Sequence, residues 1–314
     1  MAPNGHLQRR AFLARVPGIV AGSALVLGQT HNGRAEPFRR AALLPTIQIG
    51  DHRITRLIAG CNPILGYSYM GPVMDQHMRE YFTPERIGEF LTACEAEGIN
   101  THQFSNPEKM APVFRRLREQ GSGMKFICLH AGGPDQMPAK QVVEDTRPIA
   151  IVHHGGVTDR LFQEGKSGQV HDFVKQVHDA GVMAGVSAHN PDCIKRVADE
   201  GWEVDLFMAC FYHITRTPEE LKAMPPVVTA QIGRAFFAAD PARMTAVLRQ
   251  VETPCLGFKI LAAGRSCDSE GAVRKAFQFA FANLKPTDGV IVGMYPRYHD
   301  QIRQNADLTR EYGA

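Results

Sequence analysis

The chain has 314 residues, 44% of them hydrophobic and 21% charged, with a formal net charge of +3 from 35 basic and 32 acidic side chains. That apolar content excludes a disordered chain, and the mixed usage excludes collagen-like or low-complexity architecture. No basic stripe with interleaved aromatics occurs, so the sequence gives no sign of a nucleic-acid partner. Thirteen histidines stand against a single tryptophan, an imbalance that makes the histidine positions the first guide to chemistry.

The chain opens with an address. Arg9-Arg10-Ala11-Phe12-Leu13 leads into an apolar run from Ile19 to Leu27, and Gly33-Arg34-Ala35 places small residues where a signal peptidase reads. A basic start, a short apolar run and a small-x-small end make a secretory signal. The paired arginines before Phe-Leu resemble a twin-arginine signal. The run falls short of the roughly 20 residues needed to span a bilayer. Residues 1–35 are therefore expected to be a signal that engages the twin-arginine export machinery. The protein is expected to work outside the cytoplasm, with its catalytic domain over residues 36–314. Seven cysteines without a C-x-x-C spacing read as buried free thiols, Cys94, Cys128, Cys210 and Cys255 lying in apolar patterns.

Past the signal, short apolar runs alternate with amphipathic segments. Strands are expected at residues 54–60, 99–104, 126–129, 149–152, 183–187, 204–211, 255–262 and 289–293. Helices are expected at 83–98, 107–120, a long one ending at Gly181, then 191–200, 241–251, 270–284 and 300–311. Continuous apolar strands separated by helices mean a parallel sheet with a covered outer face. Eight such units fit one α/β domain, a (β/α)8 TIM barrel, whose usual length is about 250 residues. A doubly wound sheet is the competitor, but no G-x-G-x-x-G follows the first strand.

Barrel chemistry sits at the C-terminal ends of the strands. Those ends read Cys61-Asn62, His102-Gln103, His130, His153-His154, His189-Asn190, Tyr212-His213, Lys259 and Met294-Tyr295. Histidines thus close five successive strands, and the other seven are set aside as signal, loop and helix residues. Side chains alternate along a strand, so only one of His153 and His154 faces the cavity. Asp159 is close enough in sequence to orient an imidazole. Three neutral imidazoles converging on one point make a divalent-metal site. His130, His154 and His189 are the candidates, with His213 or His102 as outer members. The absence of strand-end carboxylates favours zinc over magnesium or calcium. Lys259 can neutralise an oxyanion, while Asn62 and Gln103 suit substrate hydroxyls. Tyr67, Tyr69 and the methionine-rich stretch from Met70 to Met78 fall in a long loop of the kind that forms lids. Tyr212 and Arg265 are further candidates for substrate contact.

Several segments resemble the aldo/keto reductase superfamily: residues 49–60 its opening hairpin and first strand, 97–101 its second-strand entry, and 184–191 its fifth-strand turn. Lys259-Ile260-Leu261-Ala262-Ala263-Gly264 is similar to the seventh-strand lysine segment, and residues 292–305 to the last unit. The resemblance implies a barrel and an NAD(P)-dependent reduction driven by an aspartate, a tyrosine, a lysine and a histidine. Here the second-strand slot reads Thr101-His102-Gln103-Phe104, no tyrosine follows in residues 105–110, and His130 stands where the lysine belongs. Only the histidine is matched, through His153 or His154. A shared scaffold does not carry its reaction with it.

The sequence therefore points to an exported barrel enzyme using His and Lys acid–base chemistry, metal-assisted if the histidines converge. Its expected substrate is a small polyhydroxylated or carbonyl compound such as a sugar derivative, in a lyase, isomerase or hydrolase reaction. His154 is the expected base or ligand, held by Asp159, with Lys259 on the oxyanion and Gln103 on a hydroxyl. The alternative is an oxidoreductase holding NAD(P) phosphates with Arg265, Arg297 and the start of the last helix. A catalytically silent sugar-binding barrel is the third.

Overall fold

The computed structural model describes residues 42–224 and 234–314, so the expected signal over residues 1–35 lies outside the described residues. Among the described residues ten strands occur in chain order: β1 (Thr46–Ile49), β2 (His52–Thr55), β3 (Leu57–Gly60), β4 (Thr101–Phe104), β5 (Lys125–His130), β6 (Ala150–His153), β7 (Met183–Ala188), β8 (Leu206–Cys210), β9 (Cys255–Phe258) and β10 (Gly289–Gly293). The first two pair as an antiparallel hairpin. The last eight form a closed parallel barrel in the order β10-β3-β4-β5-β6-β7-β8-β9. The (β/α)8 barrel with a preceding hairpin is thus the fold.

Twelve α-helices among the described residues connect or flank these strands: α1 (Asn62–Leu65), α2 (Pro72–Tyr81), α3 (Pro84–Ala96), α4 (Pro107–Glu119), α5 (Ala139–Thr146), α6 (Gly155–Gln163), α7 (Ser167–Asp179), α8 (Pro191–Asp199), α9 (Pro218–Lys222), α10 (Asp240–Leu248), α11 (Glu270–Asn283) and α12 (Gln301–Tyr312). None of the described helices is long and apolar enough to cross a membrane.

Four sequence expectations are corrected. The segment expected as one strand over residues 54–60 is two, because the chain bends at Arg56. The buried Arg56 guanidinium donates to the carbonyls of Asp288, Gly313 and Lys285 at 2.8, 2.9 and 3.0 Å, tying the first barrel strand to the C-terminus. The long helix ending at Gly181 is two helices, α6 and α7. Gly165 between them adopts a left-handed φ of 70°, the usual way to stop a helix just past its last turn. The loop expected over residues 70–78 contains α2, which buries none of its residues. Finally α5, masked in sequence by its proline- and glycine-rich approach, holds on through buried Val142 and Thr146.

Side chains divide by strand parity. Ile58, Ile127, Val152, Met208, Leu256 and Ile291 point inward and pack with Ile47, Ile49 and Ile54 of the hairpin. Ala59, Phe104, Phe126, Cys128, Ile151 and Val186 point outward under the helices. All seven cysteines are free, six buried and Cys267 exposed. At about 25 cal/mol per Å2 of apolar surface removed from water, this two-layer burial is the main force holding the barrel closed.

Candidate active site

Parity decides which strand-end histidines reach the mouth. On β6 the inward residues are Ala150 and Val152, so His153 points out and His154, one residue on, points in. His154 lines a cavity of about 650 Å3 at the C-terminal ends of the strands. His153 lies under α7 against Phe173, its Nδ1 bonded to the Thr158 hydroxyl at 2.7 Å. Burial pushes its pKa down to about 3.

His130 pairs with His153 in register and so shares its outward parity. It stacks on Phe173, its Nε2 meets the Met137 carbonyl at 2.8 Å, and its Nδ1 accepts from Gly132 N at 3.1 Å. Both ring nitrogens are spent on backbone. His102 likewise packs edge-on against Phe114 of α4, with Nδ1 on the Ala59 carbonyl at 2.8 Å. Burial lowers its pKa to about 4. His213 does not line the mouth cavity; it borders a smaller void with Arg216, Asp240 and the other side of His189. The expected metal set is therefore not assembled: of His130, His154, His189 and His213, only His154 and His189 share the mouth cavity. Among the described residues no three His, Cys, Asp or Glu side chains group so as to hold a metal ion.

His189 forms the most fully built contact of the site. Its Nδ1–H donates to Asp159 Oδ2 at 2.9 Å. Asp159 also accepts from the backbone N–H groups of His189 and Asn190 and from the Thr215 hydroxyl, at 3.0, 3.2 and 2.9 Å. The carboxylate is 1% exposed, on the second turn of α6. This corrects the expectation that Asp159 holds His154; it orients His189, from the neighbouring strand. A carboxylate accepting at Nδ1 puts the imidazole proton there and leaves Nε2 with a free lone pair. Burial outweighs the Asp159 bond and brings the His189 pKa down to about 4. His154 is lowered too, by burial first and then by the Lys259 charge, and its Nδ1 has no partner among the described residues. Burial thus favours the neutral form of both imidazoles.

Lys259 follows β9 with a left-handed φ of 58°, an unusual conformation for a lysine and one that strains the backbone. The twist brings its ammonium over the rings of Tyr69 and Phe258, 4.8 and 4.7 Å from their centroids, inside the cavity. Asn62, Tyr67 and Gln103 also line it. Gln103 is anchored by donating to the Phe104 carbonyl at 3.0 Å. Tyr212 and Arg265 do not reach this cavity. Tyr212 packs on Phe236, and the Arg265 guanidinium lies 4.1 Å above that same ring.

The groups expected to hold dinucleotide phosphates are engaged within the chain. Arg297 sits on the Tyr81 and Tyr298 rings, and the start of α12 is capped by the Asp300 carboxylate, accepting from Arg303 N at 3.1 Å. An anionic cap repels a phosphate where the reductase reading needs one.

Two cavity features, Ser187 and His299, have no counterpart among the residues singled out from sequence, and the methionine-rich stretch expected as a lid loop takes a different form, as part of a helical roof. Ser187 sits two residues before His189 on β7 and so shares its inward face, a relation that period-2 alternation could have revealed. Met70, Met74 and Met78 line the roof at helical spacing, held there by His77, whose ring nitrogens meet the hydroxyls of Tyr295 and Tyr298 at 3.0 and 3.2 Å. His299, set aside in the sequence, also borders the cavity.

No protein-family model and no curated protein matches the chain in sequence. Among solved structures it is similar to a protein described as an aldo-keto reductase from Pseudomonas aeruginosa, at 14% identity, covering 87% of this chain and 96% of that one with a TM-score of 0.50. It is also similar to a glycerol dehydrogenase from Gluconobacter oxydans (13% identity, 85% and 96% covered, TM-score 0.44). A third is a dihydropteroate synthase from Thermus thermophilus (12% identity, 84% and 97% covered, TM-score 0.48). At such identities the likeness is one of fold.

Proposed function

We propose that this chain is an exported barrel enzyme that moves a proton at a carbon beside a carbonyl of a small polyhydroxylated substrate, as an isomerase or lyase. The observation that carries the reading is the buried Asp159–His189 pair opening onto the same cavity as Lys259. In this reading His189 Nε2 takes the proton from carbon while Nδ1–H stays on Asp159. The C–H electron pair moves into the carbonyl, and the Lys259 ammonium donates to the oxyanion that forms. The proton then returns to the neighbouring carbon while the adjacent hydroxyl proton passes to the oxyanion, or the enolate electron pair expels a leaving group from the next carbon, which departs with the proton. His154 is the second imidazole lining that cavity. Asn62, Gln103 and Tyr67 supply hydrogen bonds to hydroxyls. The base role thus passes from His154 to His189, because the carboxylate that fixes a tautomer is on His189.

A low His189 pKa keeps the base unprotonated well below neutrality, at some loss of intrinsic basicity. The test is solvent-deuterium incorporation into a panel of aldoses, ketoses and hydroxy acids, followed by NMR. Wild type is expected to exchange at least one of them, and His189→Ala and Lys259→Met to lose exchange. Unchanged exchange in both variants, or stoichiometric oxidation of NADPH instead, refutes the reading. Export is tested separately by the N-terminus of the protein recovered from outside the cytoplasm, expected to begin just after Ala35.

A further inference from the structure

The N-terminus of α6 opens into the cavity through Gly155 and Gly156. The first N–H groups of a helix have no partner within it, and those of these two glycines find none elsewhere among the described residues. No side chain caps this end. A side chain would not fit at the first position: a Cβ on Gly155 would lie 2.9 Å from Ser187 Oγ and 3.1 Å from the His189 ring. Ser187 is the independent second observation. It is 1% exposed, faces the same cavity, and its hydroxyl has no hydrogen-bond partner among the described residues. A buried hydroxyl without a partner is costly, and a ligand that completes it accounts for its retention.

We propose that the α6 N-terminus and the Ser187 hydroxyl form a subsite for a carboxylate of the substrate, beside the His189–Lys259 pair. The inference rests on the proton-transfer reading and narrows its substrate class to hydroxy or keto acids, such as sugar acids. Charge selects carboxylate over phosphate. Around the cavity Lys259 and Arg234 cancel formally against Asp159 and Glu270, and burial disfavours the charged form of the two neighbouring imidazoles. The helix end then offers only about half a positive charge. That suits a monoanion and leaves a phosphate dianion under-neutralised. Two backbone N–H groups and one hydroxyl also match the lone pairs of two carboxylate oxygens. The arrangement places a carboxylate next to the carbon His189 would deprotonate, where it fixes the orientation of the reacting group.

The experiment titrates glycolate, its neutral counterpart ethylene glycol, and inorganic phosphate into the full chain at pH 7.5, read by calorimetry and thermal shift. Glycolate is expected to bind and raise the melting temperature, ethylene glycol to do neither, and phosphate to bind at least about tenfold more weakly. Ser187→Ala is expected to weaken glycolate about tenfold while the ligand-free protein melts no lower, since that hydroxyl has no bond to lose. Gly156→Pro deletes one N–H in the first turn of α6, where that group has no partner within the helix, and is expected to weaken glycolate as well, with Ser187 intact. Equal binding of glycolate and ethylene glycol, tighter binding of phosphate, or unmoved glycolate affinity in both variants overturns the proposal. If Ser187→Ala does not fold, the proline variant and the wild-type comparison still decide. Binding is read without turnover, so glycolate selectivity in a protein that exchanges no substrate proton upholds this subsite and sinks only the proton-transfer reading. Exchange without any preference for acids does the reverse.

Discussion

Asp159→Asn separates orientation from packing, because the side chain keeps its shape and loses its charge. In the native site the carboxylate takes four donors: His189 Nδ1, the backbone N–H groups of His189 and Asn190, and the Thr215 hydroxyl, all within 3.2 Å. An amide keeps one acceptor and turns the other position into a donor facing donors. Losing the equivalent of one bond to a charged acceptor, with the rest weakened, costs about 2–3 kcal/mol. For a domain of this size that is a drop of about 5–10 °C in melting temperature. The chemical consequence is larger. The amide donates to His189 Nδ1, so the imidazole proton moves to Nε2 and the lone pair facing the cavity disappears. Where a carboxylate-to-amide change reverses the tautomer of a catalytic histidine, turnover falls by about 10^4. The assay is the deuterium-exchange rate beside a thermal melt of the same preparation. Exchange within threefold of wild type, or a melt unmoved by the substitution, refutes the assignment of Asp159 as the residue that orients the base.

Three further outcomes are expected from the same geometry. His102 and His189 are brought down to about 4 and His153 to about 3, each chiefly by burial, against about 6.5 for a free imidazole. Between pH 6.5 and 4 the unfolded chain therefore binds protons that the native chain refuses, so stability is full above pH 6.5 and falls steadily as the pH drops toward 4; a melting temperature flat from pH 7 to 5 contradicts this. Lys259→Gly is expected to abolish exchange without lowering the melt by more than about 2 °C, since relief of a left-handed lysine, about 1–2 kcal/mol, offsets the two lost ring contacts at about 0.5–1 kcal/mol each; a fall beyond about 5 °C shows that the strain argument is wrong. Asp240→Ala strands the buried Arg216 guanidinium, whose NH1 donates to that carboxylate at 2.9 Å. It is expected to cost about 3–5 kcal/mol, with the double change Arg216→Met/Asp240→Ala recovering much of it; a double variant less stable than the single is the contrary result in denaturant titration.

The eight strand–helix units were legible because Gly, Pro and capping residues punctuate them and because a parallel barrel strand is apolar on both faces. That same two-sided apolarity hides parity. Ile127-Cys128-Leu129-His130 looks uniform in sequence, and nothing local says that Cys128 and His130 face the helices while Leu129 faces the lumen. Five histidines at five consecutive strand ends therefore read as one converging set. The register of β5 against β6, fixed by the closure of the barrel, turns His130 and His153 outward together and spends their nitrogens on Met137, Gly132 and Thr158. Phe104 and Phe126 mislead in the same way, since their bulk belongs to the outer layer.

By itself the sequence determined the barrel, which residues close its strands at the mouth, and that only one of His153 and His154 faces inward, since these depend on period and order along one chain. Tertiary structure alone decided that the inward one is His154, and that Asp159 serves His189 instead. That bond joins α6 to the end of β7 across 30 residues, and a hydrogen bond between elements is set by how they pack. It also decided that Tyr212 and Arg265 turn onto Phe236, that residues 72–81 form a helical roof, and that Ser187 is left with an unpartnered hydroxyl. Each of those depends on which side chains from distant segments meet, and no pattern within a segment contains it.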